Sequence, residues 1–362
     1  MKKIDLKNKK VALYNPFIET LGGGEKHIFL ILDVFFKNGA EINVFWDKNI
    51  SKELENRFPL ALFKKIKWLP KKLISSSLNA LKTLKNFDYF FYMTDGSYFF
   101  SNAKKNFVFA MVPDKKLYNL NFLNRLKLWN YQFISNSPYT AKWLKNWGIN
   151  SKIITPYIEE SFFAEENIKK EKIILSVARF FPHLHSKNQE KIIKTFLKLK
   201  NISSFFKDYK LILVGGLKTE DENYFQNLKS LAKNDSSIIF KPNISFDELK
   251  KLYKISDYFW HFTGLGVNEK KYPEQVEHFG IAPLEAMASG CFVFCHNSGG
   301  PQIIFENKEK DFLFNDEDEL IKKMIYFEKN QSLKNEIINE NKRFIKNNFN
   351  YKKFFNKVLT II

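Results

Sequence analysis

The sequence predicts an α/β chain built on two doubly wound parallel sheets, and three observations lead there. The chain has 362 residues, too many for one ordinary core and too few for three, so two domains of about 150 to 200 residues are expected. Short apolar runs of strand length alternate with amphipathic segments of helix length, which is the rhythm of βαβ units. That rhythm starts near residue 10 and restarts after residue 165, so each half predicts its own sheet.

In the first half, Lys10-Val-Ala-Leu-Tyr-Asn15 reads as a buried strand. A loop with Leu21-Gly-Gly-Gly24 follows, then an apolar-periodic helix from Glu25 to Lys37, which Gly39 ends, and a strand from Ile42 to Trp46. In the second half, Lys172 to Arg179 predicts a strand and Asn188 to Leu199 a helix with Ile192, Ile193, Phe196 and Leu197 on one side. Strands follow at Leu211 to Val214, near Ile238 to Phe240, at Tyr258 to His261 and at Phe292 to Phe294. A proline and a polar run from Thr155 to Lys170 interrupt the pattern. The expected division is 1–165, 166–345 and a C-terminal helix in 346–362 that crosses back to the first domain.

Composition narrows the class. An apolar fraction of 44% is that of a globular protein and argues against disulfide-rich or disordered classes. Cys291 and Cys295 would stand on one face of a strand about 13 Å apart, beyond disulfide reach, and read as small buried residues in a reducing cytosol. The first ten residues are polar and carry no apolar core of a signal peptide, and Ile28 to Phe36 is too short to span a membrane. The net charge is +19, yet only four of 58 basic residues are arginine, so coding bias contributes. Residues 51 to 152 hold 18 basic and 5 acidic residues, whereas 166 to 362 hold 32 and 25. The first half is therefore the face for anionic partners.

The segment with the most chemistry is Glu277-His-Phe-Gly-Ile-Ala-Pro-Leu-Glu285-Ala-Met-Ala-Ser-Gly290. Pro283 suits a first helical turn and Gly290 a helix end, so Phe279-Gly280-Ile281 would feed the helix N-terminus and offer free N–H groups. Glu285 could turn its carboxylate to a ribose diol and Glu277 could meet a sugar ring, since a carboxylate accepts two hydroxyl hydrogens. Taken singly, either glutamate reads more readily as an ordinary surface residue.

Glu, seven residues and Glu, with Phe-Gly between them and Glu-Ala-Met-Ala-Ser-Gly following, resembles the signature of the family-4, or group 1, retaining glycosyltransferases. The resemblance implies the GT-B fold, two Rossmann-like domains with the active site in an inter-domain cleft. Ser176-Val-Ala-Arg179 with Lys187 resembles the strand-end arginine and loop lysine that hold the donor diphosphate there. Two cations can neutralise that leaving group without a metal. Gly22-Gly23-Gly24-Glu25 matches the family's N-terminal glycine loop, which implies donor contacts for Gly23 and Gly24. Asn136-Ser-Pro-Tyr-Thr140 and Tyr258-Phe-Trp-His-Phe-Thr-Gly264 are also family-like, so the resemblance covers roughly 10 to 310.

One departure stands on the acceptor side. Many relatives carry a histidine at the end of an N-domain strand, and the matching place here is Phe109. Asp95, Asp114 or His278 could contribute instead, although aspartates in such contexts are also common turn residues. His183, His185, His261 and His278 show no metal-ligand spacing. Ile74, Leu78, Leu81 and Leu84 fall at helical spacing within Leu69 to Lys85, which predicts either a core-facing helix or one lying on anionic lipid.

The expected function is metal-independent, retaining transfer of a hexose from a UDP- or GDP-sugar to a glycan or lipid-linked acceptor. Bacterial surface polysaccharide synthesis is the expected setting, in the cytoplasm or peripherally at the inner face of the cell membrane. No cofactor is expected, because the nucleotide-sugar is a co-substrate. Two alternatives stay open: a sugar-nucleotide epimerase or hydrolase on the same fold, and a basic nucleic-acid-binding protein. The aromatics lie mainly in apolar runs, which argues against a base-stacking platform and for no nucleic-acid partner.

Overall fold

The computed structural model describes residues 4–163, 168–182, 186–305 and 312–362. It comprises two compact units, one of Met1–Pro156 with Lys352–Ile362 and one of Tyr157–Tyr351. The division falls at Pro156 instead of near 165 because the segment after it is core of the second unit. Phe162 is fully buried against the rings of Phe246 and Tyr253, and its carbonyl accepts the Ser289 hydroxyl at 2.7 Å.

The first unit carries β1 (Lys10–Tyr14), β2 (Glu41–Phe45), β3 (Lys67–Leu69), β4 (Tyr89–Met93), β5 (Lys105–Ala110), β6 (Tyr131–Ser135) and β7 (Ser151–Ile153). All pair in parallel in the order β3-β2-β1-β4-β5-β6-β7. Every side chain of β4, Tyr-Phe-Phe-Tyr-Met, is buried, as a parallel strand covered on both faces requires. The helix Tyr351–Leu359 belongs here through its last residues: Phe354, Phe355 and Val358 are buried, and Lys357 donates to Thr155 Oγ1 at 2.9 Å.

The second unit carries β8 (Glu171–Val177), β9 (Lys210–Gly215), β10 (Ile238–Pro242), β11 (Ser256–His261), β12 (Phe292–His296) and β13 (Leu313–Phe314), parallel in the order β10-β9-β8-β11-β12-β13. Both sheets are thus Rossmann-like, and the strand order reverses at β1/β4 and at β8/β11. Ligands of open α/β sheets bind beyond the C-terminal strand ends at such switch points.

Two local expectations are corrected. The helix after β1 runs Gly23–Lys37, two residues earlier than its apolar pattern, because Glu25 reaches back and accepts the Gly22 N–H at 2.8 Å, the acidic half of a capping box whose other half glycine cannot supply. Leu69 to Lys85 is not one helix. Lys71–Ile74 is a 3-10 turn, and Ser76 is extended, its hydroxyl accepting from Asn79 N at 3.3 Å to start a separate helix, Ser77–Leu84. Ile74 and Leu84 are buried, but Leu78 is 72% exposed. No helix among the described residues is long and apolar enough to cross a membrane.

Candidate functional site

At the switch point of the second sheet, β8 ends at Val177 and β11 at His261. The helix Ile281–Ala288 then enters through Gly280, whose φ of +88° lies in the left-handed region that favours glycine. Pro283 sits in its first turn, and its far end is closed by Gly290 N to Met287 O and Cys291 N to Ala286 O, both 3.0 Å.

Glu277 is the centre of this place. Its Oε2 lies 3.0 Å from Lys187 Nζ and 2.8 Å from His261 Nε2, while its Oε1 accepts the Gly280 N–H at 3.1 Å. Its own carbonyl accepts the Gly300 N–H at 2.7 Å, which pins its backbone. Burial alone would raise the Glu277 pKa. The Lys187 charge and the His261 hydrogen bond outweigh it and hold the carboxyl well below its ordinary value. An ionised carboxylate only accepts, so Nε2 of His261 carries the hydrogen. Burial lowers the His261 pKa against the opposing pull of Glu277, and the ring is neutral near pH 7. Lys187 and Glu277 are 16% and 17% exposed, open enough to meet a ligand and dry enough for charge to matter.

Arg179, two residues past the end of β8, is exposed, and its guanidinium lies over the Phe181 ring at 5.2 Å. Among the described residues it has no ion-pair partner, and its carbonyl accepts from Gln189 Nε2 at 2.8 Å. Glu285 is 8% exposed and accepts the buried Tyr253 hydroxyl at 3.2 Å. Phe279 is 5% exposed, Ile281 half-buried. The second unit therefore brings Glu277, Lys187, Gly280 and the helix Ile281–Ala288 together. His261 is the partner that sequence reasoning missed, although its place as the last residue of an expected strand at a switch point was a usable signal. Asn188 was missed as well; its amide donates to Phe262 O at 2.9 Å and to Leu265 O at 3.3 Å, tying the lysine loop to the end of β11.

The remaining candidates are placed otherwise. His278 is buried, with Nε2 at 3.1 Å from Glu274 O. Gly23 and Gly24 open the first helix of the first unit, and a Cβ on Gly24 would stand 2.2 Å from Met111 Sδ. Asp95 is a turn residue that accepts from Ser97 N at 3.0 Å and from the Tyr92 hydroxyl. Asp114 caps a short helix by accepting from Lys116 N at 2.9 Å. Phe109 is fully buried, its ring edge-on to His27 at 5.1 Å, so it is a core residue and not a wall open to an acceptor. His27 is 3% exposed with Nε2 unpartnered, and burial, with Lys357 nearby, pushes its pKa down to about 3. No group of three His, Cys, Asp or Glu suited to a metal ion occurs among the described residues; His183 and His185 lie outside them.

Residues 158–347 match the family described as Glycosyl transferases group 1. A GDP-Man:Man(3)GlcNAc(2)-PP-Dol alpha-1,2-mannosyltransferase from Mus musculus is 35% identical over 145 residues, 38% of this chain and 27% of that protein. The Homo sapiens enzyme of the same description is 33% identical over 145 residues, again 38% and 27%. The match thus spans about a quarter of the length of these relatives. Among solved structures, Anabaena Alr3699/HepE in complex with UDP superposes with a TM-score of 0.75 at 14% identity, covering 97% of this chain and 98% of that one. WaaG, a glycosyltransferase involved in lipopolysaccharide biosynthesis, gives 0.66 at 14% identity over 97% and 99%. At such identity the likeness is one of fold, the GT-B class of two Rossmann-like domains.

Proposed function

The chain belongs to the group 1 glycosyl transferases, and from that premise we propose that it transfers a hexose, with retention and without a metal, from a nucleoside-diphosphate sugar to a glycan or lipid-linked acceptor. The observation that carries the reading is the Glu277 carboxylate, held between Lys187, His261 and the Gly280 N–H at the mouth of a helix. A fixed anion beside an ammonium and a helix N-terminus can grip sugar hydroxyls on one side and phosphate oxygens on the other.

In this reading Glu285 takes the ribose hydroxyls, exchanging or sharing its bond from Tyr253. Glu277 and the backbone of Phe279-Gly280-Ile281 orient the hexose. Pro283 has no N–H, so Ile281 and Ala282 supply the orphan donors of the first turn. The glycosidic C–O bond to the diphosphate breaks, and Lys187 and Arg179 take up the charge on the leaving oxygen. The acceptor hydroxyl bonds to the same face of the sugar and passes its proton to that leaving phosphate oxygen.

The curated relatives favour a GDP-hexose of the mannose kind over a UDP-hexose as first donor to try, and a bacterial surface glycan is the proposed product class. The test is incubation with GDP-mannose or UDP-glucose and lipid-linked oligosaccharide acceptors, with NMR of the product. An α-linked sugar from an α-donor supports the reading. Free nucleoside diphosphate released at an undiminished rate whether or not acceptor is present would favour hydrolysis instead.

A further inference from the structure

The first unit holds a helix that is built inside out. Phe122–Lys127 is capped by Asn121, and the residue it turns inward is polar: Asn124, 4% exposed, whose amide donates to Asn119 O at 2.8 Å and Gly96 O at 3.2 Å. Its apolar residues face out. Phe122 is 79% exposed, Leu123 54%, Leu126 46%, and Trp129 in the following turn 76%. Phe122, Leu126 and Trp129 fall at i, i+4 and i+7, one side of a helical path. Water exposure of four large apolar side chains within eight residues is unfavourable for a free surface and marks an interaction site.

Charge says what covers it. Between 104 and 152 the sequence carries nine basic residues and one acidic residue, Asp114, and Asp114 is engaged as a helix cap. Lys115 and Lys116 are exposed, and Lys115 lines a cavity of about 350 Å³ together with Trp147 and with Arg125 of the helix itself. Phe, Leu and Trp within a strongly basic stretch is the composition that enters the headgroup boundary of a bilayer. A second copy would bring like charge against like charge.

We propose that this face docks on an anionic bilayer, with Phe122, Leu123, Leu126 and Trp129 entering the interface and Lys115, Lys116 and Arg125 meeting lipid phosphates. The surface lies outside the Glu277 site, and docking requires neither donor nor acceptor, so its test stands apart from the transfer reaction. It also places the membrane contact on a different segment from the lysine-flanked stretch Leu69 to Lys85.

The experiment is sedimentation of the full chain with vesicles of phosphatidylcholine alone or with roughly 30% phosphatidylglycerol. The wild type should bind the anionic vesicles, more weakly as salt rises. A Phe122→Ser, Leu126→Ser, Trp129→Ser variant should lose about tenfold or more of that binding with its thermal unfolding unchanged. Leu78→Ser, at a still more exposed leucine elsewhere, should bind as the wild type does. Lys115→Glu with Lys116→Glu should remove the preference for anionic vesicles, and Trp129 emission should shift to the blue on binding, a shift that Trp129→Phe lacks. Three results overturn the proposal: a wild type that sediments with neither vesicle, a triple variant that binds as well as wild type, or loss in that variant only of concentration-dependent self-association.

Discussion

Replacing Glu277 by Gln keeps the shape of the side chain and removes its charge, so it probes the network at the centre of the site. Three donors converge on two carboxylate oxygens: Lys187 and His261 on one, the Gly280 N–H on the other. An amide has one acceptor oxygen. If that oxygen stays with Lys187 and His261, the amide NH2 faces the Gly280 N–H and leaves a donor unmade, which costs about 1–3 kcal/mol. The Lys187 ammonium, 16% exposed, also loses its counter-charge. Breaking a fully buried pair costs about 3–5 kcal/mol, and partial exposure reduces that. The two together give about 2–4 kcal/mol of lost stability for the second unit at pH 7. Because the Glu277 pKa is held well below its ordinary 4.5, the stabilisation is complete above about pH 4.5 and disappears as pH falls through the depressed value. Equilibrium urea unfolding of wild type and Glu277→Gln from pH 7 downward measures this. A difference under about 0.5 kcal/mol at pH 7, or one that does not shrink in acid, refutes the network.

Two further outcomes follow from the same geometry. Arg179→Ala should lower turnover about 10²- to 10³-fold, as for a lost charge-stabilising donor, while leaving stability within about 0.5 kcal/mol because the side chain is exposed; unchanged turnover in a steady-state assay removes Arg179 from the site. His27, neutral in the fold with its pKa lowered from 6.5 to about 3, takes a proton on unfolding. Its contribution is whole above about pH 6.5 and falls by about 1.4 kcal/mol per pH unit below it, toward pH 3. His27→Phe should flatten that acid limb in urea titrations, and an identical pH profile in both proteins contradicts the assignment.

The strands were legible because parallel strands covered on both faces need unbroken apolar runs, as in Phe292-Val-Phe-Cys-His296. The spacing from Glu277 to Glu285 was legible because a helix start, a proline and a closing glycine fix its local geometry. His261 could not be paired with Glu277 in the same way: 16 residues separate them, and the carboxylate reaches the ring only because the chain after β11 folds back, its backbone held by the Gly300 N–H on the Glu277 carbonyl. Periodicity misled at Leu69 to Lys85, where apolar residues kept helical spacing across Ser76, whose hydroxyl starts a new helix. Phe122, Leu126 and Trp129 keep the same spacing with the opposite outcome. Burial of Asn124 decides which way that helix faces, and this depends on the Gly96 and Asn119 carbonyls.

The second unit is proposed to bind a nucleoside-diphosphate sugar through its Arg179, Lys187 and Glu285 side chains. The direct measurement is thermal unfolding of the full chain with GDP-mannose, UDP-glucose and the free nucleoside diphosphates, in EDTA. Saturation near 100 times Kd stabilises the folded state by about 2.7 kcal/mol. For a domain of this size that raises Tm by about 5–10 °C. Such a rise is expected with at least one of these ligands, as is its loss in Arg179→Ala. No rise with any of them at millimolar concentration, in wild type, would contradict it.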